Sequence, residues 1–163
     1  MSRRSLALGA LVLTAGFTLT GCSALTGLFG TATRDDSGEI TEGGDVDVFT
    51  ITTGDCLGQA PDGEVSTVAA VPCSEEHDGE VFHDFTLPEG EFPGDEAIEA
   101  SAYEGCEPAF ATFVGVSYEE SALDYVFYSP TEASWNEVDD RVISCVVVDP
   151  AGAVTGTLQG AAR

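Results

Sequence analysis

Apolar residues recur along this chain with two different periods, and the change from one to the other marks its elements. Phe49 and Ile51 alternate with Thr50 and Thr52, the pattern of a half-buried strand, and Gly54-Asp55 ends it just before Cys56. Pro61-Asp62-Gly63 predicts a turn, because proline presets φ and glycine accepts a positive one. Val65 to Val71 follows as a second strand, stopped at Pro72-Cys73. A third strand alternates Val81, His83, Phe85 and Leu87 with Phe82, Asp84 and Thr86, and Pro88-Glu89-Gly90 closes it. The period then lengthens. Ile98, Ala102, Cys106, Phe110 and Phe113 recur at helical spacing, between an N-cap at Gly94-Asp95 and a C-cap glycine at Gly115. Cys106 falls on the buried face of that helix. Pro108, which removes the bond to the Glu104 carbonyl, predicts a kink or two shorter helices. Leu123–Ser129 and Arg141–Asp149 return to strand, and Val142 to Val148 is apolar on both faces apart from Ser144 and Cys145, as in a central strand covered on each side. Pro150-Ala151-Gly152 turns the chain toward a last edge strand over Val154–Leu158. The elements together predict an α+β domain, a small antiparallel sheet of five to six strands with one main helix packed on one face.

The N-terminal part has a different pattern. Arg3-Arg4 precede an apolar run from Leu6 to Leu19, about 14 residues against the roughly 20 that a spanning helix needs. The run ends in Leu19-Thr20-Gly21-Cys22, a lipobox in which the Cys22 thiol is the expected site of lipidation and cleavage. Residues 1–21 are thus a lipoprotein signal peptide. Arg3-Arg4 could also be read as a twin-arginine export signal, but closing disulfides in a reducing cytosol favours general secretion. From Cys22 to Asp47 the chain is Gly, Thr, Ser and acidic residues, with too little apolar content to bury, so 22–47 is expected to be a disordered tether. The Asp and Glu residues there lack the spacing of a calcium loop. Residues 48–163 are expected to form the one extracytoplasmic domain.

Charge narrows the partners. All 29 acidic residues lie beyond Cys22, against the three arginines Arg34, Arg141 and Arg163, a net charge of −26 once the leader is removed. Such a surface repels phosphate, so nucleic acid is not an expected partner; the membrane is reached only through the lipid on Cys22. The absence of lysine fits codon bias in a GC-rich genome or adaptation to salt.

With Cys22 assigned to lipid, Cys56, Cys73, Cys106 and Cys145 remain, an even set in an exported chain and hence two disulfides. Three pairings are open. Cys56–Cys73 and Cys106–Cys145 are favoured, because the first pair sits at the ends of neighbouring strands and the second would staple helix to strand.

Read in order, Gly54-Asp55-Cys56, Val71-Pro72-Cys73 with His77 and Glu80-Val81, Cys106 with Phe110 and Val114-Gly115, Pro130-Thr131 with Trp135, Asp140-Arg141, Cys145 and Thr155-Gly156 resemble the septum-formation domain family of cell-envelope lipoproteins and membrane proteins in high-GC Gram-positive bacteria. The resemblance spans about Val48 to Gly160. Glu76 stands where the family often has proline, and Val138-Asp139-Asp140-Arg141 lengthens a Gly-Asp-Arg turn. The resemblance implies an outward-facing domain linked to division or cell-wall processes, with no catalytic residue to carry over.

The chemistry-bearing residues point the same way. Cys73, His77 and His83 could be metal ligands, but an oxidised Cys73 offers no thiolate, and a loop histidine bonded to backbone is the expectation; neither a metal nor a cofactor is expected. Ser74, His77 and Asp84 can be written as a triad, yet no nucleophile elbow frames the serine. Trp135, the single tryptophan, stands in a loop between strands where it could anchor a protein or glycan partner, with His77 and Glu80 as further candidates; alternatively it caps the open end of the sheet. The expected function is non-enzymatic: a lipid-anchored binding or scaffolding domain on the outer face of the cell membrane that meets an envelope protein or the cell wall. The alternative is an envelope enzyme acting on wall material through acidic residues.

Overall fold

The structure is a computed structural model and describes residues 30–59 and 63–163. The expected signal peptide and lipobox, with Cys22, and Pro61-Asp62 of the first turn lie outside the described residues. In chain order the elements are β1 (Thr33–Arg34), β2 (Ile40–Glu42), β3 (Gly44–Asp47), β4 (Cys56–Leu57), β5 (Thr67–Val71), β6 (Glu76–His77), β7 (Gly79–Thr86), α1 (Asp95–Val114), β8 (Asp124–Tyr128), α2 (Glu132–Glu137), β9 (Val142–Val148) and β10 (Val154–Thr155). Six of the strands form one curled antiparallel sheet in the order β3-β5-β4-β7-β9-β8; β1 pairs with β2, and β10 with β6. This is the expected α+β fold.

β9 shows why the sheet has two cores. Its period-two alternation sends Ile143, Cys145 and Val147 to the helix side and Val146 to the other, and both sets are buried. On the helix side α1 lays down Ile98, Ala102, Cys106, Phe110 and Val114, all buried; burial of each large apolar side chain is worth about 1.5–3 kcal/mol. Gly105 lets helix and sheet approach, since a Cβ there would run into the ring of Phe85. Next to it Cys106 bonds Cys145 across the interface, and Cys56 bonds Cys73 between β4 and the end of β5. From sequence separations of 17 and 39, chain entropy gives the two bridges about 3 and 4 kcal/mol.

Four expectations change. α1 runs unbroken through Pro108: both Pro108 and Glu104 are exposed, so water can take the carbonyl that proline leaves free. Val48–Thr50 is a 3-10 turn rather than strand, because the Asp47 carboxylate accepts from the Phe49 N–H at 2.9 Å and caps it. Trp135 stands on the short helix α2, opened by a reciprocal capping box between Thr131 and Ser134, not in an irregular loop. The fourth concerns the tether. Residues 30–47 carry β1, β2 and β3, bury Ile40 and Val46 in the second core, and clip to the domain through Arg34, whose guanidinium makes paired bonds of 2.6 and 2.7 Å to buried Asp55. Two apolar residues spaced among acids are a weak sequence signal, and the contacts that hold them are all tertiary.

Candidate functional site

The sheet curls without closing. At its open end the turn after β3 and the approach to β5 face the ends of β8 and β9 across a groove of about 590 Å³, within the range of small-ligand and peptide sites. One wall is Val48, Phe49, Ile51 and Val65; the other is Tyr128 and Val142. Phe49 is 50% exposed and Val142 39%. The turn geometry explains Phe49: the Asp47 cap rotates it away from the core that its position in a strand would have entered.

Polar groups line the α2 side. Thr131 and Ser134 exchange capping bonds, and the Ser134 hydroxyl donates to Asp140 Oδ2 at 3.0 Å while the Val142 N–H donates to Oδ1 at 3.1 Å. Ser66, Ser129 and Ser144 add hydroxyls, and the charged lining residues are Glu64 and Asp140. The groove therefore pairs aromatic and aliphatic surface with hydroxyls and negative charge, and among the described residues no arginine lines it. At the far end of β8 from the groove, the Tyr118 hydroxyl donates to Asp124 at 2.9 Å, which, with burial, raises the Tyr118 phenol above its ordinary value. Burial pushes the Tyr125 phenol up to about 12, with the Glu107 carboxylate adding to the effect.

The residues singled out from sequence lie elsewhere. Trp135 is buried: its indole N–H donates to the Gly90 carbonyl at 2.9 Å, Phe92 packs edge-on at 5.7 Å, and the Arg141 guanidinium lies 3.7 Å from its ring centroid. It presents no face to a partner. It closes the helix-side core at the end of the sheet where Leu87 bonds Arg141, which is the capping alternative. Arg141 is held in turn by Asp139 at 2.8 Å, a residue at φ 59 in the lengthened turn. His77 is buried with Nδ1 and Nε2 each 3.1 Å from a carbonyl oxygen, of Gly79 and Gly156. Glu80, also buried, accepts from the Thr157 hydroxyl and the Leu158 N–H, both at 2.6 Å. Both side chains latch the C-terminal segment onto the start of β7.

Neither constellation of chemistry-bearing residues is assembled. His77 is committed to carbonyls and Asp84 to Thr53, so they do not form a relay with Ser74. Cys56, Cys73 and Glu80 do bring potential ligand atoms within 4.8 Å of one another, but both sulfurs belong to a disulfide and offer no thiolate. The groove is not legible in the sequence because its key exposure, that of Phe49, depends on a 3-10 turn where the pattern reads strand.

The fold and its open end define a disulfide-stapled α+β domain built around a curled sheet. Over residues 45–162 the chain matches the family described as septum formation, and it belongs to that family. The family connects the chain with septum formation. No curated protein and no solved structure matches it.

Proposed function

We propose that this is a lipid-anchored binding domain of the cell envelope that serves septum formation by seating an envelope protein or cell-wall component in the groove at the open end of its sheet. The observation that carries the reading is the groove itself: exposed Phe49 and Val142 line it beside hydroxyls, in a fold stapled by two disulfides. Aromatic side chains in a concavity are the usual anchors of recognition. The lipobox at Cys22 supplies the attachment, through lipid rather than a span; among the described residues no helix is long and apolar enough to cross a membrane.

The test uses the full-length chain in living cells. Phe49→Ser with Val142→Ser should still fold cooperatively, with a melting midpoint lowered by no more than a few degrees, since the two side chains are 50% and 39% exposed, yet lose enrichment at division sites. Cys22→Ala should remain an unprocessed precursor by mass spectrometry. Wild-type localisation by the groove variant would overturn the site, and a purified chain that cleaved a wall fragment, and lost that turnover on Asp140→Asn without unfolding, would move the answer to an enzyme.

A further inference from the structure

One edge of the six-stranded sheet is covered and the other is bare. On the outer side of β3, Asp45 exchanges bonds with Gly30 and Ala32 (2.9 and 3.1 Å), so the Gly30–Ala32 segment closes that edge. The opposite edge is β8, which pairs with β9 on one side and with nothing on the other among the described residues.

Which backbone groups face outward from β8 follows from two independent bonds. Val81 turns its N–H and C=O toward Asp55 and Gly54, so opposite it Val146 is free to bond the other neighbour, and its partner there is Val126. In an antiparallel ladder the bonded and non-bonded pairs alternate, so Tyr125 and Phe127 point their backbone groups away from β9. The Tyr125 N–H, which donates to the Asp124 carboxylate at 2.7 Å and not across the ladder, gives the same parity. The Tyr125 carbonyl and the Phe127 N–H and carbonyl are then left on an open edge.

That edge carries a single charge, Asp124 at its start, and lacks the other usual guards. Asp124-Tyr125-Val126-Phe127-Tyr128 holds no lysine, no proline and, in its pairing with β9, no bulge. Val126 is 48% exposed on the groove side, and Tyr103, 50% exposed, packs edge-on against Phe127 on the helix side. β8 runs directly into the groove, whose wall continues through Phe127, Tyr128 and Ser129.

Charge selects the occupant. Asp124 stands at the start of the strand, Glu107 is close enough to act on Tyr125, and Glu64 and Asp140 line the groove, while Arg34, Arg141 and Arg163 are all paired to carboxylates within the fold. A second copy carries the same net charge of −26 over its whole surface, and the same acidic residues around its own edge, and would be repelled. A glycan's hydroxyls do not follow the repeat of a strand, so a glycan would meet these main-chain groups singly and not as a ladder.

We propose that β8 receives an extended segment of a partner protein as an added antiparallel or parallel strand, and that the segment alternates basic with apolar residues, its basic side chains directed to Asp140 and Glu64. Resting on the binding reading above, this names the partner's chemistry: main-chain bonds to Phe127 and Tyr125 supply the pairing, and the covered Val126 and the carboxylates supply the selection.

The experiment adds eight-residue synthetic peptides that alternate Lys or Arg with Val, Ile or Tyr to the full-length chain in micelles, with Glu-for-Lys peptides and a chitooligosaccharide as the other probes. Basic peptides should bind, weaken as salt is raised, and slow amide exchange at Phe127 by at least about tenfold at saturation. Val126→Lys, a charge placed on an already exposed side chain, should weaken that binding about tenfold with an unchanged melting midpoint. Equal binding of the acidic peptides, binding with no protection of Phe127, or no binding by any basic peptide overturns the proposal. Chitooligosaccharide binding that shifts Phe49 and Tyr128 while the peptides fail would retain the groove and reject the strand. Self-association that protects Phe127 without peptide would replace the basic partner by a second copy.

Discussion

Trp135 is fixed at its polar tip as well as by its ring. The indole N–H satisfies Gly90, the ring face carries the Arg141 guanidinium, and the Arg141 Nη1 donates to the Trp135 carbonyl at 2.9 Å, so helix α2 and the start of β9 are tied through one side chain. Trp135→Ala should therefore destabilise the fold by about 3–5 kcal/mol, the range for a large aromatic removed from a core, and urea unfolding followed by circular dichroism would read it. A loss under about 1 kcal/mol would mean that the pocket collapses without cost. Tyr125 makes a prediction of opposite chemistry. Its phenol is raised from 10.0 to about 12 by burial first and Glu107 next, so the folded state favours the neutral form. The stability linked to this group is complete below pH 10 and is lost as pH rises through about 12. Tyr125→Phe should flatten that part of the alkaline limb in a melting series; Tyr118 and Tyr128, raised as well, should keep the remainder.

Among the elements, the C-terminal segment depends on β7. Glu80 accepts from Thr157 and Leu158 with both carboxylate oxygens, and Glu80→Gln would turn an amide NH₂ toward one of those two donors. The expected cost is about 1–3 kcal/mol, with faster amide exchange at Leu158 as the local signature; unchanged exchange there would argue against the latch. Elements differ in how far their own residues announce them. β9 and α1 are legible because seven apolar-rich positions in one, and Ile98, Ala102, Cys106 and Phe110 in the other, repeat their period without interruption. Their disulfide follows from the same faces. The Phe49–Ile51 stretch carries an equally good period-two pattern, but one short-range bond from Asp47 outweighs it. β1 to β3 are illegible for another reason: Ile40 and Val46 are single apolar residues in acidic surroundings, and only the finished second core gives them something to pack on. The groove is hidden for a related reason, since one wall is the turn and the other, Tyr128 and Val142, comes from strands far along the chain from it.

At the scale of the whole molecule, the distribution of charge decides how the fold responds to its solvent. Each of the three arginines beyond residue 21 is engaged: Arg34 with Asp55, Arg141 with Asp139 and Arg163 with Asp149, the last helping the Ala151 N–H to hold the Asp149 carboxyl below its ordinary value. Among the described residues, most of the acidic side chains have no cation near them. Added salt acts on both populations. It weakens the exposed pairs, each worth about 0–1 kcal/mol, and it screens the repulsion among the unpaired carboxylates, which opposes the compact state. The buried Asp55 end of the Arg34 pair is screened least, so relief of repulsion outweighs the loss of pairing. Raising NaCl from about 0.02 M to about 0.5 M should lift the melting midpoint, by about 4 °C for each kcal/mol of repulsion removed. Differential scanning calorimetry at fixed pH measures this directly, and Glu119→Gln with Glu120→Gln, two exposed acids in one turn, should reduce the rise. A midpoint that fell with salt would show that the arginine ion pairs outweigh the self-repulsion of the surface.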